Sequence, residues 1–205
     1  RYLGLATLTL RTIDEGLEEL RTAKAMGFRG VMFPGDPSVE DYDHPCYDAI
    51  WEACLDLEPP VHFHILTSDR DDLSVMIHRK TRGPKIAQFL SIIRGVHDIL
   101  LMLVYGGVFE RHPRLRVVCA EADAGWVPHF MYRMDHAYQR HRHWLETSKL
   151  SKPPSEYFAQ NVYVTFQDDY VATHVTHLCP SSRLMWASDF PHNDGTYPHT
   201  REVIA

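Results

Sequence analysis

The chain has 205 residues, 44% of them apolar and 23% charged, close to globular averages, so disordered, collagen-like and coiled-coil classes are excluded. Its formal net charge is −6 and its Lys and Arg residues are scattered, which argues against a nucleic-acid or anionic-membrane surface and for a small-molecule partner. No run nears the roughly 18 consecutive apolar residues of a membrane span, no export signal is visible, and four cysteines without CxxC spacing suit a reducing cytoplasm.

In chain order, the β-formers of Tyr2 to Leu10 predict a strand, and Thr12-x-x-Glu15 with Ile13, Leu17 and Leu20 predicts a capped helix closed by Gly27. Phe28 to Phe33 predicts a second strand, and a helix opening at Asp43 follows the spacing of Tyr47, Ile50, Trp51, Cys54 and Leu55. Val61 to Ile65 predicts a third strand. A long helix is expected from about Lys85 to Phe109, with Ile86, Phe89, Leu90, Ile93, Leu100, Leu101 and Val104 on its buried stripe. Arg116 to Glu121 predicts the fourth strand, Trp126 to Trp144 a helix, and Lys149 to Ser155 a loop. Asn161 to Phe166 predicts the fifth strand, Val171 to Leu178 a short helix, and Leu184 to Asp189 the sixth strand.

Strands alternating with helices over connections too long for hairpins indicate repeated βαβ units, an α/β class with a parallel sheet. Periodicity alone does not separate an open doubly wound sheet from a barrel. The polar residues do show a pattern: His64, Glu121 with Asp123, Gln167 with Asp168, and Asp189 all end successive strands. Parallel α/β folds place their chemistry at that edge.

Histidine, with 14 residues, is abundant here, and it is the commonest metal ligand and general base. In Val61-His62-Phe63-His64-Ile65 both imidazoles share one strand face, as a metal pair or as hydrogen-bonded core histidines. In Leu184 to His192 an apolar strand ends in Asp189, where burying an unpaired charge is expensive. Val117, Cys119 and Glu121 are expected to share a face, bringing a second carboxylate to the rim. One histidine and two carboxylates make a plausible divalent-metal site with an acid/base group beside it. No GxSxG, P-loop or GxGxxG motif is present, and Cys119 reads as inert core.

These residues carry a resemblance. PPVHFHI, FERHPRLRVVCAEADAGWVPHFMYRMD, PPSEYFAQNVYVTFQDD and RLMWASDFPH are similar to the amidohydrolase-related metal-dependent hydrolases and decarboxylases, a group that includes aminocarboxymuconate semialdehyde and γ-resorcylate decarboxylases. The resemblance runs essentially from Arg1 to His199 and implies a (β/α)8 TIM barrel of which strands 3 to 8 are present, with residues 1–205 a single partial barrel domain. It implies that His64 and Asp189 bind a divalent metal, zinc or manganese, and that Asp189 and Glu121 act as acid/base groups. His62 and His192 are expected to support the site or touch substrate, as are the loop residues Arg70, Arg79 and His199. Where well-known members of the group carry a histidine at the end of the sixth barrel strand, this chain has Glu121.

The activity implied is decarboxylation of a small hydroxy- or amino-substituted aromatic or unsaturated carboxylic acid. Hydrolysis of a C–O, C–N or C–C bond on the same site is the alternative, and a non-catalytic truncated barrel acting as a binding module is a third. The expected partner is a small-molecule carboxylate, with neither nucleic acid nor membrane, and a homo-oligomer is compatible with the resemblance.

Overall fold

Side-chain alternation along the strands sets the architecture. In β3 (Val61–His64) the side chains of Val61 and Phe63 are fully buried while those of His62 and His64 are half-buried, the period-2 pattern of a strand with two unlike faces. The computed structural model describes residues 2–67 and 84–204. Around β3 stand β1 (Leu5–Thr7), β2 (Gly30–Met32), β4 (Val117–Ala120), β5 (Val162–Phe166) and β6 (Leu184–Trp186), all parallel and ordered β1-β2-β3-β4-β5-β6.

That order resolves what periodicity left open. A doubly wound sheet reverses its strand order at a switch point, whereas right-handed crossovers that keep sequence order lay every connecting helix on one face, as in a barrel wall. The fold is α/β with the winding of a (β/α)8 barrel. The helices are α1 (Ile13–Ala25), α2 (Asp48–Leu57), α3 (Lys85–Phe89), α4 (Arg94–Tyr105), α5 (Val108–Arg111), α6 (Val127–His141), α7 (Pro154–Asn161), α8 (Tyr170–His174) and α9 (Thr200–Val203). Among the described residues, no helix is long and apolar enough to cross a membrane.

The core lies between sheet and helices. The register sets Val61 beside Val117 and Phe63 beside Cys119, then Val117 beside Val162 and Cys119 beside Val164, and all six are buried. Burial drives the Cys119 thiol pKa up, so it is inert packing, as expected. An aromatic cluster joins this stripe at Phe63: Phe33 stacks on Trp51 at 5.5 Å, and Tyr42 meets Phe63 edge-on at 5.3 Å.

Several elements differ from their sequence-based expectations. The first strand is Leu5–Thr7 rather than Tyr2 to Leu10, because the Glu19 carboxylate accepts from the backbone N–H groups of Thr9 (2.9 Å) and Leu10 (3.2 Å) and from the Thr9 hydroxyl. The helix expected from Asp43 is preceded by a 3₁₀ turn at Pro45–Tyr47, capped by His44 Nδ1, and begins at Asp48. The expected Lys85 to Phe109 helix is three helices. Three-residue turn bonds at Ile92 and Arg94 separate α3 from α4, and Gly106 with left-handed Gly107 (φ 74°) ends α4.

The buried stripe accordingly belongs to α4, through Val96, Ile99, Leu100, Leu103 and Val104, while Ile86, Phe89 and Leu90 are exposed. Helix α7 occupies part of the expected loop and reaches the fifth strand. Its start signals, Pro154 at the first position and Glu156 in the first turn, are legible in retrospect. The Val171 to Leu178 segment splits into α8 and a 3₁₀ turn, Thr176–Leu178. The sixth strand stops at Trp186, three residues short of Asp189, although Ala187 N–H still donates to Phe166 O at 2.9 Å.

Two measurements test this packing. A Cβ at Gly106 would lie 2.1 Å from Asp43 Cβ, so Gly106→Ala should lower unfolding free energy by about 1–3 kcal/mol in urea denaturation. An unchanged midpoint would mean that the Asp43 loop yields freely. On α4, the His97 ring packs 4.1 Å from Trp126 and 4.8 Å from Phe130, and its Nε2 is buried without a hydrogen-bond partner among the described residues. Burial holds the His97 pKa down to about 4, against an opposing pull from Asp98. The unfolded chain takes up this proton near pH 6.5 and the folded chain only near 4, so stability should fall as pH drops through that window. His97→Phe should flatten that slope, measured as urea midpoints at pH 7.5 and 5; an equal slope in the variant would assign the loss to other groups.

Candidate functional site

The polar residues gather at the C-terminal rim of the sheet. His64 ends β3 on the face opposite Phe63. Its Nδ1–H donates to the Ile65 carbonyl at 2.7 Å, and its Nε2 lies 2.7 Å from Glu121 Oε2. That tautomer leaves the Nε2 lone pair aimed at a carboxylate, and two acceptors this close need a proton or a cation between them.

Glu121 reaches His64 by a route that strand alternation does not give. The register puts Val117 and Cys119 on the helix-facing side, where strict alternation would send Glu121 too, so the expected shared face would carry it away from the rim. The strand instead ends at Ala120, and Glu121 takes a left-handed conformation (φ 59°) that turns its side chain to the His64 face. Its N–H donates to Thr165 Oγ1 on β5 at 2.8 Å. Asp189, beyond β6, is likewise left-handed (φ 52°), and its Oδ2 accepts from His192 Nδ1 at 2.7 Å. The segment beyond folds back, with Thr196 N–H donating to Ser188 O at 3.1 Å.

Ligand atoms of Glu121, Asp189 and His192 lie within 4.8 Å of one another, and His64 joins them through Glu121. Nitrogen and carboxylate oxygen donors in this arrangement suit a borderline or hard divalent cation such as zinc or manganese. The side chains of Glu121 and Asp189 are 23% and 22% exposed and that of His192 is 57% exposed, so the histidine stands on the solvent side.

The cluster borders a cavity of about 560 Å³. One wall is apolar, with Ile65, Phe89, Ile92, Trp126 and Phe166; the other carries Asp123, Asp168 and Asp194 beside Glu121. Burial first, then the charges of Asp169, Asp168 and Asp194, raise the Asp123 carboxyl above its ordinary pKa. A larger hollow of about 650 Å³ lies along β1 and α1 and holds none of the strand-end residues.

Of the other sequence candidates, His62 and His199 sit apart. The His62 ring donates from Nδ1 to the Val31 carbonyl at 3.2 Å, and burial lowers its pKa. His199 pairs with Glu202 at 3.2 Å on the surface. Arg70 and Arg79 lie outside the described residues. Sequence reasoning passed over Thr165 and Asp169. A threonine within a strand carries no signal, whereas Asp169 could have been found as the N-cap of α8, accepting from Ala172 N–H at 2.8 Å.

The chain is similar to several known proteins in sequence and in fold. A curated γ-resorcylate decarboxylase from Rhodococcus jostii (strain RHA1) is 27% identical over 213 residues, covering 93% of this chain and 60% of that protein. One from Rhizobium sp. (strain MTP-10005) is 26% identical over 210 residues, with the same coverage. The crystal structure of 5-carboxyvanillate decarboxylase from Sphingomonas paucimobilis superposes with a TM-score of 0.81 at 18% identity, covering all of this chain and 60% of that one. A dihydroxybenzoic acid decarboxylase from Polaromonas sp. JS666, with bound manganese and the inhibitor 2-nitroresorcinol, gives 0.74 at 21% identity, covering 99% and 62%. The chain spans about 60% of the length of the curated relatives it matches. The Amidohydrolase family model matches residues 1–205 throughout, and the chain belongs to that family.

Proposed function

We propose that residues 1–205 act as one barrel unit of a metal-dependent decarboxylase acting on a small aromatic or unsaturated carboxylic acid with a hydroxy or amino substituent. The observation that carries this reading is the convergence of Glu121, Asp189 and His192, with His64 on Glu121, at the edge of a cavity with an apolar wall. The relatives named above decarboxylate hydroxybenzoates, which supports the same class. His64 and Asp189 would hold the divalent ion, manganese or zinc, with Glu121 and His192 as further donors to it. The ion would supply Lewis-acid neutralisation of the substrate carboxylate.

The chain's own residues do the rest. Ile65, Phe89, Trp126 and Phe166 give a planar ring an apolar wall to lie against and displace water from it. Asp189, in its acid form, would pass a proton to the carbon bearing the carboxylate. The carbon–carbon bond then breaks, its electron pair stays with the ring, and CO2 leaves. His192 holds the Asp189 carboxylate in place through its Nδ1. A cytoplasmic location fits a small soluble substrate.

A second reading is hydrolysis on the same site. It is favoured by Glu121 against His64 Nε2, because a carboxylate there can take a proton from water.

Chelation of the purified protein should abolish CO2 release from hydroxybenzoates, and added Mn²⁺ should restore it; full activity after exhaustive chelation would end the metal reading. Asp189→Asn should cut the rate of CO2 release by about a hundredfold or more while leaving the fold intact by circular dichroism. If ring-opened or hydrolysed product accumulates instead of CO2, the hydrolase reading replaces the first.

A further inference from the structure

Glu121 is a member of the cluster whose placement the strand does not explain. It follows the last residue of β4 in a left-handed conformation, and Asp123 two residues on repeats it (φ 52°). Side chains with a Cβ adopt that conformation at a cost and hold it only where the surroundings over-determine it. The polar backbone groups of the 121–125 loop show what does so. Glu121 N–H donates to Thr165 Oγ1 at 2.8 Å. Ala124 and Gly125 N–H both donate to Asp169 Oδ2, at 2.7 and 2.6 Å. Trp126 Nε1–H donates to the carbonyls of Ala122 and Asp123, at 2.7 and 2.9 Å.

Two of these three anchors come from β5 and the turn after it. Asp169 divides its carboxylate: Oδ2 holds the Glu121 loop, and Oδ1 caps α8 by accepting from Ala172 N–H. The loop also packs tightly here, since a Cβ at Gly125 would lie 2.6 Å from Val171 Cβ and 2.9 Å from Asp169 Oδ1. The 121–125 loop therefore cannot shift without breaking charge-assisted bonds to a neighbouring unit of the sheet.

We propose that Asp169, together with Thr165, is a positioning residue that holds the left-handed turn at Glu121 and so keeps the Glu121 carboxylate beside Asp189 and His192. Each acts through backbone N–H groups rather than on the ligand atoms: Thr165 through that of Glu121 itself, Asp169 through those of Ala124 and Gly125. The inference rests on the metal-centre reading given above. It makes the site a property of two adjacent strand ends, because the residue that presents the carboxylate and the residues that orient it lie on different βα units.

The test is Mn²⁺ binding to the full chain by isothermal titration, without any assay of turnover. Thr165→Val and Asp169→Ala should each weaken Mn²⁺ about tenfold or more, as removal of a group that orients a ligand does. Combined with Glu121→Gln they should add little, because all three remove the same oriented carboxylate. Asp169→Asn separates positioning from simple stabilisation: its single carbonyl oxygen can keep both loop N–H bonds while the α8 cap is lost. That variant should hold Mn²⁺ within about twofold of the parent while melting lower. Should Asp169→Ala fail to fold, Thr165→Val alone decides. Unchanged binding in Thr165→Val, or a fully additive loss with Glu121→Gln, would overturn the positioning role. If Glu121→Gln by itself leaves Mn²⁺ binding unchanged, Glu121 is no donor to the ion and the inference is overturned; if the parent chain itself binds no Mn²⁺, the metal-centre reading fails first.

Discussion

The site depends on the register of three central strands. Val61, Phe63, Val117, Cys119, Val162 and Val164 form one buried stripe across β3, β4 and β5, and every second residue between them faces the other way. A slip of one residue in β3 would put His62 and His64 into the helix layer and Phe63 into the open face. Burial of six apolar side chains therefore does more to aim His64 than any polar contact it makes. The same stripe sets Thr165 opposite the end of β4, where the Glu121 loop needs an acceptor.

Beyond the stripe, the strands stop early and single residues take over. Glu121 and Asp189 both leave their strands in left-handed conformations, and both side chains end in the same cluster. Regular strand geometry cannot supply two carboxylates at this spacing from two non-adjacent strands. The turns can, and hydrogen bonds accepted by Thr165 and Asp169 and donated by Trp126 hold the first of them in place. This division of labour, a rigid apolar scaffold below and strained polar ends above, is how parallel α/β folds carry chemistry on interchangeable loops.

Most of this was legible in the sequence at the level of units and little at the level of joints. Alternation in VHFHI and the run of strand-end polar residues located the rim and named His64, Glu121 and Asp189. The family resemblance added the barrel, and the sequential strand order bears it out. The breaks were not legible, because the split of the 85–109 segment depends on three-residue turn bonds, and the end of β1 depends on a carboxylate from the following helix. The reason first given for Glu121 facing the rim, a shared face with Val117 and Cys119, is replaced by its backbone conformation. Asp169 went unnoticed because an N-cap aspartate looks the same whether or not its second oxygen holds a neighbouring loop.

Trp126 joins three features described separately: its indole N–H anchors the Glu121 loop, its ring lines the cavity, and His97 packs on it. Of the chain's four tryptophans, Trp51 lies wholly within the core and Trp144 stands on the outer surface. Among the described residues, Trp126 is the only one of the four lining the cavity. Its emission is therefore a built-in optical gauge of occupancy, reporting an aromatic guest by quenching or energy transfer with no label attached.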